Sequence, residues 1–132
     1  MIEFNKSLEV IIPLHHNNGK GLSPIENARI ATKIDALTRS IGGVTWYDTN
    51  GRWMDSQGEI FDDSHRTYVW YIEQTFDMGK RSELLQLLDS LLRTVFNEAK
   101  QSSITLKMNN DIFIVDSVSK TLMVKFDYFV RY

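Results

Sequence analysis

Gly42 to Ile72, GGVTWYDTNGRWMDSQGEIFDDSHRTYVWYI, decides the fold of this 132-residue chain. Two runs rich in β-branched and aromatic residues flank Asp55-Ser-Gln-Gly58, a good type I turn with glycine at its close. The stretch is therefore a hairpin. Asn50-Gly51 is a second turn signal inside its first strand, and with strands committed on both sides it predicts a bulge or kink. Of the chain's 7 Phe, 3 Trp and 5 Tyr, seven lie between Trp46 and Tyr71. Arg52, Asp55, Asp62, Asp63, His65 and Arg66 are interleaved with them.

Upstream, Ser23-Pro24-Ile25-Glu26 is a helix start. Ser23 is the N-cap, Pro24 suits the first helical position and Glu26 completes a capping box. Ile30, Ile34, Leu37 and Ile41 form one apolar stripe, and Gly42-Gly43 stops the helix. Before it, Leu8, Val10, Ile12 and Leu14 alternate with Ile11 and Pro13 in a first strand. The intervening His15-to-Gly21 segment has loop chemistry.

Downstream, Lys80 to Ala99 carries a wide apolar face from Leu84 to Phe96, suited to lying on a sheet, with Asp77 or Ser82 as its cap. Ile104–Met108 alternates, Asn109–Asp111 turns, and Ile112–Val115 is a short apolar strand. Asp116–Lys120 turns again. Thr121–Tyr132 places Leu122, Val124, Phe126, Tyr128, Val130 and Tyr132 on one side by period two, and predicts a last strand.

The order β-α-β-β-α-β predicts one α+β domain over residues 1–132, a ferredoxin-like sandwich with an antiparallel sheet and extra C-terminal strands. Two helices cover only one sheet face. Ile11, Met123, Phe129 and one set of hairpin aromatics then line the other, which predicts self-association into a dimer or higher homo-oligomer, or C-terminal strands folded over that face.

Bulk composition bounds the function. With 42% hydrophobic and 24% charged residues the chain is an ordinary globular domain. A net charge of -2 gives no footprint for DNA or RNA. The absence of cysteine removes thiolate metal sites and cysteine nucleophiles. No apolar run approaches a membrane span, and the first residues lack a signal-peptide pattern, so a cytoplasmic protein is expected.

Short motifs in this region resemble small uncharacterised bacterial and phage protein families. Gly42-Gly-x-Thr45, Gly51-x-Trp53 and Gly58 match their hairpin, and Gln101-Ser-Ser-Ile104 is similar to their Gln-x-Ser-Val after the second helix. The likeness spans residues 42 to 106. Asp62-Asp63 stand where those families have Arg-Glu, and the segment after Met108 lies outside the pattern. The resemblance implies the same fold order and a phage or mobile-element origin. Phage proteins of this size often inhibit host defence without catalysis, including sponges that sequester nucleotide signals such as those of Thoeris systems.

Each candidate chemistry has an ordinary counterpart. His15-His16 lack a third ligand, so no metal site is expected, and they are assigned to the solvated loop. His65-x-Thr67 is half of a two-histidine phosphoesterase pattern, and one half cannot both activate a nucleophile and protonate a leaving group. Asp55, Glu59, Asp62 and Asp63 fit no calcium loop and are assigned to a solvated acidic tip. The amides after Ser23 could take an anion with Lys20 or Arg29, but the capping box already uses them. No phosphate loop, dinucleotide fingerprint or nucleophile elbow is present, so no cofactor is expected.

What remains is the hairpin. Stacking on aromatics and bidentate arginine contacts are the usual means of holding a nucleotide. Trp46, Arg52, Trp53, His65, Arg66, Tyr68 and Trp70, with Arg29, are the candidate ligand-binding residues. The same aromatics are equally suited to a core or a subunit interface. The sequence thus favours a non-catalytic binding protein for a nucleotide-like molecule, and the resemblance implies a host defence protein as the other partner. A small dimeric ferredoxin-like enzyme using His65 and tyrosines is the alternative, and a protein–protein interaction module is the third reading.

Overall fold

In the computed structural model, which describes residues 1–132, the chain forms β1 (Phe4–Pro13), α1 (Pro24–Ile41), β2 (Thr45–Met54), β3 (Ile60–Glu73), α2 (Arg81–Ala99), β4 (Ile104–Met108), β5 (Asp111–Val115) and α3 (Lys120–Arg131). The strands make one antiparallel sheet in the order β2-β3-β1-β4-β5. Its first four strands and first two helices follow the ferredoxin-like β-α-β-β-α-β path, and β5 is an added edge.

Local chemistry sets the helix ends. Ser23 Oγ accepts a hydrogen bond from the Glu26 amide at 3.1 Å, and Glu26 Oε1 accepts one from the Ser23 amide at 2.8 Å. This capping box begins α1, and Gly42, at φ 123°, ends it. Asp77 caps a short 3-10 turn at Met78–Lys80, accepting from the Gly79 amide at 2.8 Å, and α2 starts after that turn.

Register then fixes which side chains meet. Leu8 lies opposite Trp70 and Met108, and Val10 opposite Tyr68 and Leu106. These even-numbered β1 residues face α1 and α2, where Ile34, Leu37, Leu88, Leu91 and Leu92 complete the core. Tyr68, Trp70 and Ile72 therefore belong to the helix side of β3. Val69 and Tyr71 belong to the open side, with Ile11.

The structure corrects two expectations here. The segment expected as a last strand from Thr121 to Tyr132 is the helix α3, begun by Ser119, whose Oγ accepts from the Leu122 amide at 3.1 Å. Leu122, Phe126, Phe129 and Val130, at i, i+4, i+7 and i+8, are its buried stripe. The period-two pattern shares Leu122, Phe126 and Val130 with this stripe, and Val, Phe and Tyr tilt such a run toward strand. The second correction concerns Asn50-Gly51, which is no bulge. Pairing runs unbroken from Thr45↔Val69 to Met54↔Ile60, and the one irregularity lies at Phe4/Lys6 in β1. Gly51 has a different use: a Cβ there would come within 3.3 Å of His65 Cε1.

Nor does the C-terminal segment cover the open sheet face. Lys6, on the helix side of β1, donates from Nζ to the Val130 carbonyl at 2.7 Å, and Lys125 Nζ sits 5.7 Å from the centre of the Phe113 ring. Arg81 of α2 pairs with Asp127 of α3. All three helices thus share one layer, and the other face of the sheet carries no covering element.

One part of the sheet projects. Pro13, the last residue of β1, lies opposite His65, so Gly51–Met54 and Ile60–Asp63 pair with each other and with no other strand. This arm extends about 13 Å past the end of β1, at 3.3 Å per residue. Asp55 Oδ1 closes its tip by accepting from the Gln57 and Glu59 amides, each at 2.9 Å, with Gly58 at φ 83°.

Candidate functional site

The register sorts the sequence candidates into separate groups. Trp46 lies opposite Tyr68, and Asp48 opposite Arg66, on the helix side of the hairpin. Arg66 donates to Asp48 through two nitrogens, Nε to Oδ1 at 2.6 Å and NH2 to Oδ2 at 3.3 Å. The hydrogen bond from Arg66 holds the Asp48 carboxyl below its ordinary range, and the same bond raises Arg66 further. Trp46 is exposed, while Tyr68 is half-buried and stacks on Trp70 with ring centres 6.0 Å apart. Trp46, Arg66 and Tyr68 are therefore brought together. Arg52 stands farther out on the same side, paired with Asp62 at 2.8 Å where both are exposed.

The other candidates lie elsewhere. Trp70 is fully buried in the core, and its Nε1 donates to Thr38 Oγ1 at 3.0 Å. Arg29 reaches across from α1 to the buried Glu98 of α2 at 3.1 Å. Trp53 and His65 occupy the opposite, open side of the hairpin. Trp53 stacks on Phe61 at 4.7 Å with 22° between the planes. Each of the three arginines already faces a carboxylate. An anion at Arg66 must share the guanidinium with Asp48 or displace it.

The two adjacent histidines, expected as solvated loop residues, are half-buried and each meets a carboxylate. His15 Nε2 lies 2.6 Å from Asp63 Oδ1, and His16 Nε2 lies 2.6 Å from Glu26 Oε2. The His15–Asp63 approach is not an aligned hydrogen bond, so the buried Asp63 Oδ1 has no directed donor; His65 Nδ1, two residues along the same strand face, is likewise without a hydrogen-bond partner. Gln101 Nε2 donates to the His15 carbonyl at 2.9 Å and ties this loop to the end of α2. Glu26 carries the strongest consequence. The Ser23 amide first, and His16 with it, draw its pKa from 4.5 down to about 2. The Gln101 motif was visible in the sequence, but no local signal pairs residue 15 with residue 63.

Sequence reasoning also missed a cleft of about 300 Å³ where α1 ends. Ile41–Gly43 and Val44 form one side, and Phe4, Tyr71 and Glu73 the other. Gly42-Gly43 was legible as a helix stop; the arrival of Phe4 and Glu73 beside it depends on the β1–β3 pairing. No three His, Asp or Glu side chains converge to hold a metal ion, and no helix is long and apolar enough to cross a membrane.

No protein-family pattern and no curated protein matches the sequence. Solved structures match the fold. A phage SAM lyase in its apo state superposes with a TM-score of 0.59 and 10% identity, over 88% of this chain and 92% of that one. A phage SAM lyase in complex with S-methyl-5'-thioadenosine gives a TM-score of 0.55 and 10% identity, over 85% and 89% of the two chains. The periplasmic divalent cation tolerance protein CutA from Archaeoglobus fulgidus aligns over 95% of this chain and 97% of that one, at 12% identity and a TM-score of 0.42. At such identities the likeness to the two SAM lyase structures is one of architecture alone.

Proposed function

We propose that this chain is a self-associating, non-catalytic binding protein that captures a nucleoside-derived molecule at the Trp46–Arg66–Tyr68 cluster. The observation that carries the reading is this cluster: an exposed indole beside a tyrosine and a guanidinium already held in a fixed plane. A base or nucleoside ring stacks on Trp46, and Arg66 addresses the polar end of the ligand. Asp48 sets the preference. It orients the guanidinium and disfavours a bare polyphosphate, so a nucleoside with little or no negative charge fits best.

Fold likeness to a phage SAM lyase solved with S-methyl-5'-thioadenosine supports the same ligand class, and the hairpin motifs support a phage origin. In that setting the protein acts in the host cytoplasm as an anti-defence factor. Self-association is supported by the arm, whose Trp53 and Phe61 on one side and Met54 and Ile60 on the other are all exposed. A two-stranded ribbon alone is marginally stable in water, so an arm apolar on both sides calls for a partner. A second copy of the chain supplies one.

Native mass spectrometry of protein purified from cells tests the reading. The expected result is an oligomer carrying a small molecule of nucleoside size, lost in Trp46→Ala and Arg66→Ala. Retention of the same molecule by both variants would remove the cluster as the site. A second reading, a small hydrolytic or lyase-type enzyme, is favoured by the His15–Asp63–His65 group, where the buried Asp63 Oδ1 meets His15 without an aligned hydrogen bond and the buried His65 Nδ1 has no hydrogen-bond partner. Turnover of the retained molecule that disappears in His65→Ala would establish it over capture.

A further inference from the structure

The cleft at the end of α1 is chemically unlike the hairpin cluster. Its walls bear one charged side chain, Glu73, and no lysine, arginine or histidine. Glu73 accepts from Thr75 Oγ1 at 3.4 Å through Oε2 and has no cationic partner. The remaining walls are the Gly42-Gly43 backbone, the uncharged Thr45, and apolar or aromatic side chains. Phe4 and Tyr71, both half-exposed, stand with ring centres 6.2 Å apart and planes at 61°, so they make two non-parallel aromatic walls.

The backbone adds to the same field. The Gly42 amide caps the Thr38 carbonyl at 2.7 Å, and the later carbonyls of the last turn lie at the negative end of the α1 dipole. Arg39, the basic residue of that turn, does not line the cleft. Beyond Glu73 a second depression brings another carboxylate, Glu3. A carboxylate, two aromatic faces and a helix C-terminus all favour positive charge, and the volume suits a small ligand with an apolar body.

We infer that this cleft is a binding site for a small organic cation of the alkylammonium or sulfonium class. The onium group sits against Phe4 and Tyr71, where the ring quadrupoles attract it, and Glu73 supplies the counter-charge. Apolar substituents face Val44 and Val69. The site is independent of the Trp46–Arg66 cluster, and either can fail without the other.

The test is an amide-resolved NMR titration with choline, tetramethylammonium and trimethylsulfonium, set against 3,3-dimethylbutan-1-ol, the neutral isostere of choline. The expected result is a shift of the Gly42, Gly43, Val44 and Tyr71 amides with a Kd of about 1 mM for a cation of this size. The neutral isostere and the Glu73→Gln variant should each bind roughly tenfold more weakly. Tyr71→Leu, a change at a half-exposed position, should weaken binding by a similar factor while the unfolding curve is preserved. Equal binding of choline and its isostere overturns the inference, as does the absence of shifts at these amides with all three cations.

Discussion

On the proposed self-association through the arm, replacing Trp53 and Phe61 together with serine should yield monomers without unfolding the domain. Trp53 is 52% exposed and Phe61 37% exposed in the isolated chain. With about 150–250 Å² of surface per aromatic side chain, the pair offers roughly 200 Å² for burial against a second copy. At about 25 cal/mol per Å² this is about 5 kcal/mol of gross driving force per arm. Ordering of the arm and imperfect packing consume part of it, so about 2.7 kcal/mol, or a hundredfold in Kd, is the expected loss. The cost within the chain is smaller: the Trp53–Phe61 stack contributes about 0.5–1.5 kcal/mol, a shift of about 2–7 °C in melting temperature. Sedimentation velocity across a concentration series reads the first quantity, and thermal circular dichroism the second. The parent should sediment well above its 15.3 kDa chain mass and the variant as a monomer. A parent that stays at the monomer mass throughout, or a double variant with unchanged association, refutes the assignment of the arm as the interface.

Three further outcomes follow from particular contacts. Phe126→Ala removes a fully buried ring at the centre of α3 and should cost about 3–5 kcal/mol in denaturant unfolding; a cost below about 1 kcal/mol would mean α3 is not seated on the core. Glu26 has a folded pKa of about 2 against 4.5, so its contribution is complete above pH 4.5 and is lost as the pH falls through about 2. Melting temperatures of parent and Glu26→Gln should differ most above pH 4.5 and converge near pH 2, whereas parallel profiles would contradict the capping-box assignment. Gly58→Ala forces a side chain into φ 83° at the hairpin tip, where space is free, and should destabilise by about 1–2 kcal/mol of backbone strain alone.

The helix α1 shows why some elements were legible in advance. Its boundaries are written in residues that touch each other within one turn, Ser23 with Glu26 at the start and Gly42 at the end. The same holds for the hairpin turn, where Asp55 and Gly58 close four residues. The segment 120–131 shows the limit of local reading. Leu122, Phe126 and Val130 satisfy both period two and the helical spacing, whereas the buried Phe129 fits only the helix and the exposed Val124 and Tyr128 fit only the strand. A neighbouring α2, with Arg81 placed to meet Asp127, made the helix the arrangement that buries Phe129 and Val130. Among the candidate site residues, residue type did not fix location: Trp70 satisfies its indole N–H inside the core, while Trp46, four residues from the start of the hairpin stretch, stays exposed.

By itself, then, the sequence determined the element order up to β5, the ferredoxin-like path and the concentration of aromatics in one hairpin, because short-range sterics, capping and periodicity act within a few residues. Tertiary structure decided what those aromatics face. Register across β1–β3 sent Tyr68 and Trp70 toward the helices and Tyr71 toward Phe4, brought His15 to Asp63 over 48 positions, and built the Glu73 cleft against the end of α1. A shift of one residue in that pairing exchanges the two faces of a strand, so no local pattern could have fixed these neighbours before the sheet closed.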